Sequence, residues 1–424
     1  MQNLKLTWQD VQAKLDSTSI AIEFLSFPKF KTDSVLYIAL TVRPGYEQPH
    51  LTMICEESEL NAEKAYITPE LSKLIWRKLA PELDNVKNIY FSPSGLLHTI
   101  AIESMPHWEK TDSLMGDIYN LYRLSSTREL AMKHTPVEAN GTVLYGGIEY
   151  ACDIPDNGQS RQKPHETKKV SKKSSKKRAR SVDFGLRDDT SLEKLTWSGY
   201  EVDDIKKVLG DEAKKIKDCA ATEASFKELS GKNMKNIHIA THGFYWNDST
   251  AREKSVRFAL LDNENLNEED KAMTRTGLFF SDSQRIFDPN AEFPDSIDDG
   301  VLTAKEVADL DLRGLDLVAL SACQTGLGDI AGSEGVFGLQ RGFKKAGAQS
   351  IIMSLWPVHD EATRDMMVEF YKALKSGKSK CEAFIIAQNF VKDKDREGRY
   401  DYEGKGLSPT RPHWAAFILL DALK

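Results

Sequence analysis

The chain has 424 residues, 40% of them hydrophobic, with 57 basic and 64 acidic side chains and a formal net charge of −7. It is long enough for one large or two to three ordinary domains. The acidic balance argues against a general nucleic-acid binder, and no apolar run approaches the roughly 20 residues of a membrane-spanning helix. Residues Met1 to Asp16 are polar, so no secretory leader is expected, and the five cysteines (Cys55, Cys152, Cys219, Cys323, Cys381) are odd in number without paired spacing. Together these point to reduced thiols in a cytoplasm.

The first quarter predicts a small α/β unit. Leu6 to Leu15 is a short helix candidate, and IAIEFL (20–25), VLYIALTV (35–42) and Leu51 to Cys55 are strand candidates. Thr68-Pro69-Glu70 has the signature of a helix start, with proline in the first turn. The helix then runs through Leu71, Leu74, Ile75 and Leu79. Asn88 to Phe91 predicts a strand entering the Ser92-Pro93-Ser94-Gly95 turn, and His98 beyond it is read as a structural histidine. SSTRELAM (125–132) carries a hydroxyl N-cap and an early glutamate, and is expected to be a helix leading into a second unit.

Thr142 to Tyr145 is the first strand expected in that second unit, ending in Gly146-Gly147. Residues 153–189 contain Pro, Gly, Ser and the run KKVSKKSSKKRAR (168–180) without apolar periodicity, which reads as a disordered basic insertion. A solvated loop, a nuclear-import or nucleic-acid patch without interleaved aromatics, and a linker cut during activation all fit that composition. Tyr200 to Leu209 is an amphipathic helix, and Thr222 caps another helix that starts in ATEASFKEL (221–229). Arg257 to Leu261 is a strand candidate. Residues 263–299 read as a long, acidic, solvated loop whose carboxylates fit no calcium-loop spacing.

Two strand ends carry the chemistry. NIHIATHG (236–243) runs out at Thr241, His242 and Gly243, and LDLVALSACQTGLG (315–328) passes from the apolar Leu317 to Leu320 into Ser321-Ala322-Cys323. A continuously apolar strand is buried on both faces of a parallel sheet, and the carboxyl ends of such strands are where open α/β sheets place their sites. A buried cysteine often serves only as a small hydrophobe. A packing cysteine, however, has no need of the polar, glycine-rich exit found here. A nearby histidine sustains the thiolate, which is the nucleophile, and Gly243 admits a close backbone approach to a substrate carbonyl. His238 precedes His242 by four residues, so a metal site of His238, His242 and Cys323 is an alternative, although no second-shell carboxylate is evident.

The remaining elements alternate. LTAKEVADL (302–310) is a helix capped by Thr303, GVFGLQRGFKKA (335–346) a helix stopped by Gly347, and SIIMSL (350–355) a strand. Asp360 to Leu374 is a helix with Met366, Met367, Phe370 and Tyr371 on its core face. Lys380 to Val391 is a helix, and Trp414 to Leu420 a last strand. Strand–helix alternation implies an α/β fold, a mainly parallel sheet flanked by helices.

ATHGFYW (240–246), LSACQTGLG (320–328) and GSEGVFGLQRGFKKAGAQSIIMSLWPVHDEAT (332–363) resemble the CHAT family of caspase-like cysteine peptidases, which are related to separase and often fused to tetratricopeptide repeats. FSPSGLLHTIAIESM (91–105), LYGGIEY (144–150) and RPHWAAFILLDA (411–422) are similar to the family's other blocks, so the likeness covers nearly the whole chain. The resemblance implies a degenerate protease-like α/β subdomain over residues 1–135 and a catalytic domain over 136–424. It makes His242 and Cys323 the dyad, with the Gly243 and Cys323 N–H groups as the oxyanion hole. Cysteine follows histidine by 81 residues (323 − 242), the histidine-first order of caspases, where the gap is about 50. Ser-Ala-Cys-Gln-Thr departs from the caspase signature, so preference for aspartate is not carried over.

From these readings the expectation is a cysteine endopeptidase without cofactor or metal. It acts on a protein substrate in a bacterial cytoplasm, is switched on by a partner or sensor protein, and serves defence or programmed cell death. The alternative is a silent scaffold that binds partners through the same fold. Neither direct nucleic-acid binding nor membrane association is expected. Strands flanking the cysteine strand nominate Glu149, Ser321, Trp356 and Asp360 for the pocket. The two carboxylates there would select lysine or arginine, which makes the basic 168–180 run a candidate for self-cleavage.

Overall fold

The computed structural model describes residues 5–30, 32, 34–62, 67–110, 112–133, 138–152, 192–245, 267–287, 298–322, 329–330, 336–400 and 411–423. The basic run 168–180, the strand candidate 257–261 and Cys323 lie outside them.

Strands β1 (Ser19–Pro28), β2 (Val35–Val42) and β3 (His50–Glu56) form an antiparallel meander. On the other side of β1, strands β4 (Asn88–Ser92) and β5 (Asn120–Arg123) pair in parallel. The second half contributes β6 (Asn140–Ile148), β7 (Ala213–Asp218) and β8 (Met234–Ile239). A separate small sheet is built from β9 (Gly243–Tyr245), β10 (Thr276–Phe279) and β11 (Val301–Thr303). After β12 (Leu317–Leu320) and a ribbon of β13 (Asp329–Ile330) and β14 (Val336–Phe337), the chain ends with β15 (Ser350–Ser354) and β16 (Phe417–Leu420). Eleven strands make one sheet in the order β3-β2-β1-β4-β5-β16-β15-β12-β8-β6-β7. Its pairs are parallel from β1 through β5 to β16 and from β15 to β7, with β16 antiparallel to β15. The α/β class therefore rests on the pairing itself.

This single sheet runs across position 135. β5 meets β16 through the pair Arg123 and Leu420, and the Asp421 N–H donates to the Arg123 carbonyl. Among the described residues, apolar packing nonetheless divides into a small cluster of Val11, Ala21 and Val42 and two large bodies. One surrounds the buried Trp76, which meets Phe24 and Phe91 edge-on and donates from Nε1 to the Ile102 carbonyl at 3.3 Å. The other surrounds β6, β8, β12 and β15, whose central residues are inaccessible. Under the junction, Arg123 clasps Glu103 with two bonds of 2.7 and 2.9 Å. Arg123 is 3% exposed, and its buried guanidinium is satisfied by this fork on a carboxylate together with a bond to the Ile100 carbonyl.

Several elements differ from expectation. Residues 267–287 are not a solvated loop: a helix, Glu268–Thr274, is followed by β10, all four residues of which are buried. The acidic composition misled, because Glu269 is spent on Arg341 (2.7 Å) and Lys345 (3.1 Å), which hold its carboxyl down to about 2. The helix expected over 125–132 is one 3₁₀ turn, Thr127–Leu130, capped by Ser126. Two strands carry little hydrophobic signal: β5 is four residues long, and β7 is an edge whose Lys214 and Lys215 face solvent. Among the described residues no helix is long and apolar enough to cross a membrane.

The cysteines need a further correction. Cys152 and Cys219 form a disulfide with their Cα atoms 5.7 Å apart, so the five thiols are not all unpaired. The two follow the carboxyl ends of β6 and β7, neighbours in the sheet but 67 residues apart in sequence, and spacing could not reveal them.

Candidate active site

β8 and β12 are adjacent and parallel, with Ile239 opposite Leu320. His242 is three residues beyond the first and Cys323 three beyond the second. Register is maintained past the strands, since the Ser321 N–H donates to the Ile239 carbonyl at 2.9 Å. On the far side, Ser354 Oγ at the end of β15 donates to the Ala322 carbonyl at 2.7 Å. The peptide that leads into Cys323 is thus held from both neighbouring strands, although Cys323 itself is outside the described residues.

His242 is 2% exposed. Its Nε2 lies 2.9 Å from the carbonyl oxygen of Glu193. A carbonyl can only accept, so Nε2 carries a proton. The sequence named no partner for His242, because this one is a backbone oxygen whose side-chain identity is irrelevant. The Glu193 segment is secured by Leu192 N–H to Gln284 Oε1 (2.7 Å) and by Lys194 Nζ to Asp218 (2.6 Å). Around the main chain of His242, its N–H points to Tyr150 Oη at 3.3 Å, and its carbonyl accepts from Phe279 N–H at 3.0 Å.

Gly243 opens β9 opposite Leu278. Hydrogen-bonded and non-bonded positions alternate along an antiparallel pair. Because Phe279 bonds to His242, the next position is a non-bonded one, and the Gly243 N–H points away from β10.

Of the expected pocket residues, Glu149 stands apart from the other three. Ser321 and Trp356 are buried, and Asp360 is 5% exposed at the first turn of the helix Asp360–Lys375, where a carboxylate is favoured by the helix dipole. These three follow β12 and β15, which are adjacent. Glu149 follows β6. β6 is not a flanking strand of β12, because β8 lies between them. Three strand spacings from β6 to β15 amount to roughly 14 Å. Glu149 lies instead with Lys194, 3.6 Å away. His238 also stands apart from His242: it is buried on β8, 2.8 Å from Glu201 on the helix Thr196–Leu209. The alternation that put both histidines on one face stops at Ile239, where β8 ends.

Residues 67–422 match the CHAT domain. Among curated proteins, the chain is 32% identical over 120 residues to Homo sapiens tetratricopeptide repeat protein 28, and 38% identical over 77 residues to the Mus musculus protein of that name. Those stretches are 28% and 18% of this chain but only 4% and 3% of the relatives' length. Among solved structures, similarity extends to the crystal structure of the Arg specific cysteine proteinase gingipain R. The TM-score is 0.40 and the identity 10%, over 83% of this chain and 66% of that one. A complex of Porphyromonas gingivalis RgpB pro- and mature domains gives a TM-score of 0.39 at 11% identity, over 83% and 68% of the two chains.

Proposed function

The chain belongs to the CHAT domain family, and from that premise we propose that it is a cysteine endopeptidase working through His242 and Cys323. The supporting observation is the β8–β12 register, in which the paired residues Ile239 and Leu320 precede the two candidates by equal distances. In the proposed reaction, His242 Nδ1 takes the thiol proton and the Cys323 thiolate attacks the scissile carbonyl. The Gly243 and Cys323 N–H groups receive the oxyanion, worth roughly 3 kcal/mol for each donor. The imidazolium then protonates the leaving amine, and water hydrolyses the acyl-enzyme with His242 as base. Throughout, the Glu193 carbonyl keeps the ring in one tautomer and stabilises its charged form.

For the residue before the cut, the reading assigns a pocket between the ends of β12 and β15, with Ser321 and Trp356 as walls and Asp360 as the acidic group. Glu149, on the other side of His242, is assigned to the remainder of the substrate cleft. The chemistry asks for neither metal nor cofactor. Activation by a partner or sensor protein, a bacterial cytoplasmic setting and a role in defence or programmed cell death extend the proposal on family resemblance alone.

A peptide-library cleavage profile of wild type, Cys323→Ala and His242→Ala tests the reading. Cleavage is expected only in wild type, favouring lysine or arginine before the cut, with both variants folded by circular dichroism. The double variant should be no worse than either single one, because the two groups act as a unit. Wild-type turnover in Cys323→Ala would overturn the role of Cys323, and absence of cleavage in wild type would leave the scaffold reading in its place.

A further inference from the structure

Tyr150 is 1% exposed and lies two residues past the end of β6. The chain is steered there by its two glycines. At Gly146 a Cβ would sit 2.6 Å from the Ser198 carbonyl, so the strand lies directly on the helix Thr196–Leu209. Gly147 adopts φ +62°, which favours glycine. The register with β7 shifts between Tyr145 and Ile148, the mark of a bulge that turns the next side chains to a new direction. Downstream, the Tyr150 carbonyl accepts from Gln284 N–H at 3.0 Å, and the Cys152–Cys219 bond pins the chain two residues on.

The phenol so placed completes a hydrogen-bond chain whose direction can be derived. Thr241 Oγ1 lies 2.5 Å from the Phe279 carbonyl, which can only accept, so the single hydroxyl proton of Thr241 goes there. Thr241 Oγ1 must then accept from Tyr150 Oη, 2.9 Å away. With its own proton committed, Tyr150 Oη accepts from the His242 N–H at 3.3 Å. Phe279 N–H returns to the His242 carbonyl. The main chain of His242 is therefore tied to β10 on both sides, once directly and once through two hydroxyls. The Tyr150 ring also packs against the imidazole, centroids 5.2 Å apart at 43°.

We propose that Tyr150 is a positioning residue for His242, fixing the backbone and so the plane of the imidazole, and through it the Nε2 contact with the Glu193 carbonyl, by the chain His242 N–H to Tyr150 to Thr241 to Phe279. Its activity readout rests on the peptidase reading, but its spectroscopic one does not. The test uses the full chain with nitrogen-labelled histidine, in wild type, Tyr150→Phe, Thr241→Val and Thr241→Ser. Tyr150→Phe and Thr241→Val are expected to lower kcat roughly tenfold to a hundredfold, as expected for a small misplacement of a catalytic group, with KM within about twofold. Both should move the His242 ring signals away from the pure Nε2–H tautomer. Thr241→Ser, which keeps the hydroxyl, should restore most of the loss. Wild-type kcat together with unmoved His242 signals in Tyr150→Phe overturns the proposal. If Tyr150→Phe does not fold, identical kcat and ring signals in Thr241→Val and Thr241→Ser overturn it instead. Should wild type cleave no peptide at all, the peptidase reading falls, and the His242 signals alone decide the role of Tyr150.

Discussion

Thiol chemistry at single residues separates Cys323 from the other cysteines. Burial pushes the Cys55 thiol up to about 12 and the Cys381 thiol up to about 11. Cys152 and Cys219 are bonded to each other. Near neutral pH the first two are thiols and the latter two cannot react, since alkylation requires the thiolate. Limited treatment with iodoacetamide is therefore expected to modify Cys323 first and to abolish cleavage in proportion, as measured by peptide mass spectrometry. Full activity after complete Cys323 modification would contradict this, as would loss on chelation with rescue by zinc. His98 offers a pH test. Burial, and then the nearby Arg123, lower its imidazole from the ordinary 6.5 to about 3. The native state holds it neutral, so its contribution to stability is complete above the unfolded value and is lost as pH falls from about 6.5 towards 3. Lowering pH from about 7 to about 5 should cost about 2 kcal/mol through this group alone. Urea unfolding of wild type and His98→Gln at both pH values should show the drop shrinking by that amount in the variant, and equal drops would contradict it.

Among the elements, the paired ends of β6 and β7 carry the most that packing alone does not supply. The Cys152–Cys219 bond closes a segment of 67 residues. By loop entropy such closure is worth on the order of 4 kcal/mol. The double variant Cys152→Ser, Cys219→Ser should melt below wild type in non-reducing buffer, and the gap should vanish once reductant is added. A gap that persists under reduction would mean the serines act through packing instead. Helix Thr196–Leu209 lies against the same sheet, touching β6 through the close contact of Gly146 with Ser198 and β8 through the buried Glu201–His238 pair. A histidine in an apolar strand thus answers a carboxylate on a helix, which is why His238 was available to look like a ligand in the sequence.

For the molecule as a whole, the question is whether residues 136–424 can stand without the preceding part. Their outermost strand on that side, β16, is covered by β5. Asp421, with a side chain 1% exposed, accepts from Ser125 N–H at 2.7 Å and pairs with Lys344 at 2.8 Å. Removing residues 1–135 would bare an apolar sheet edge, the usual route to edge-to-edge association, and take away one of the two partners of a buried carboxylate. Expressed alone, residues 136–424 are expected to aggregate, and size-exclusion chromatography of that fragment decides the matter. A soluble, monomeric fragment that cleaves peptide would show the two parts to be independent.

The buried strands were legible because their chemistry is local. VLYIALTV and LVAL are apolar on both faces, and Thr68, Thr222 and Thr303 announce the helices they cap by bonding to backbone N–H groups one turn on. His242 and Cys323 are proposed on equally local grounds, because each stands where an apolar run stops and small or polar residues begin. Beyond that, the arrangement depended on pairing across long separations. β8 turned out to lie between β6 and β12, which parted Glu149 from Asp360. The Glu193 oxygen, the Tyr150 hydroxyl and the Cys152–Cys219 bond meet their partners only after the sheet has brought distant segments together. A backbone carbonyl has no side chain to mark it, and a contact between neighbouring strands leaves no trace in spacing, so these features existed only once the chain was folded.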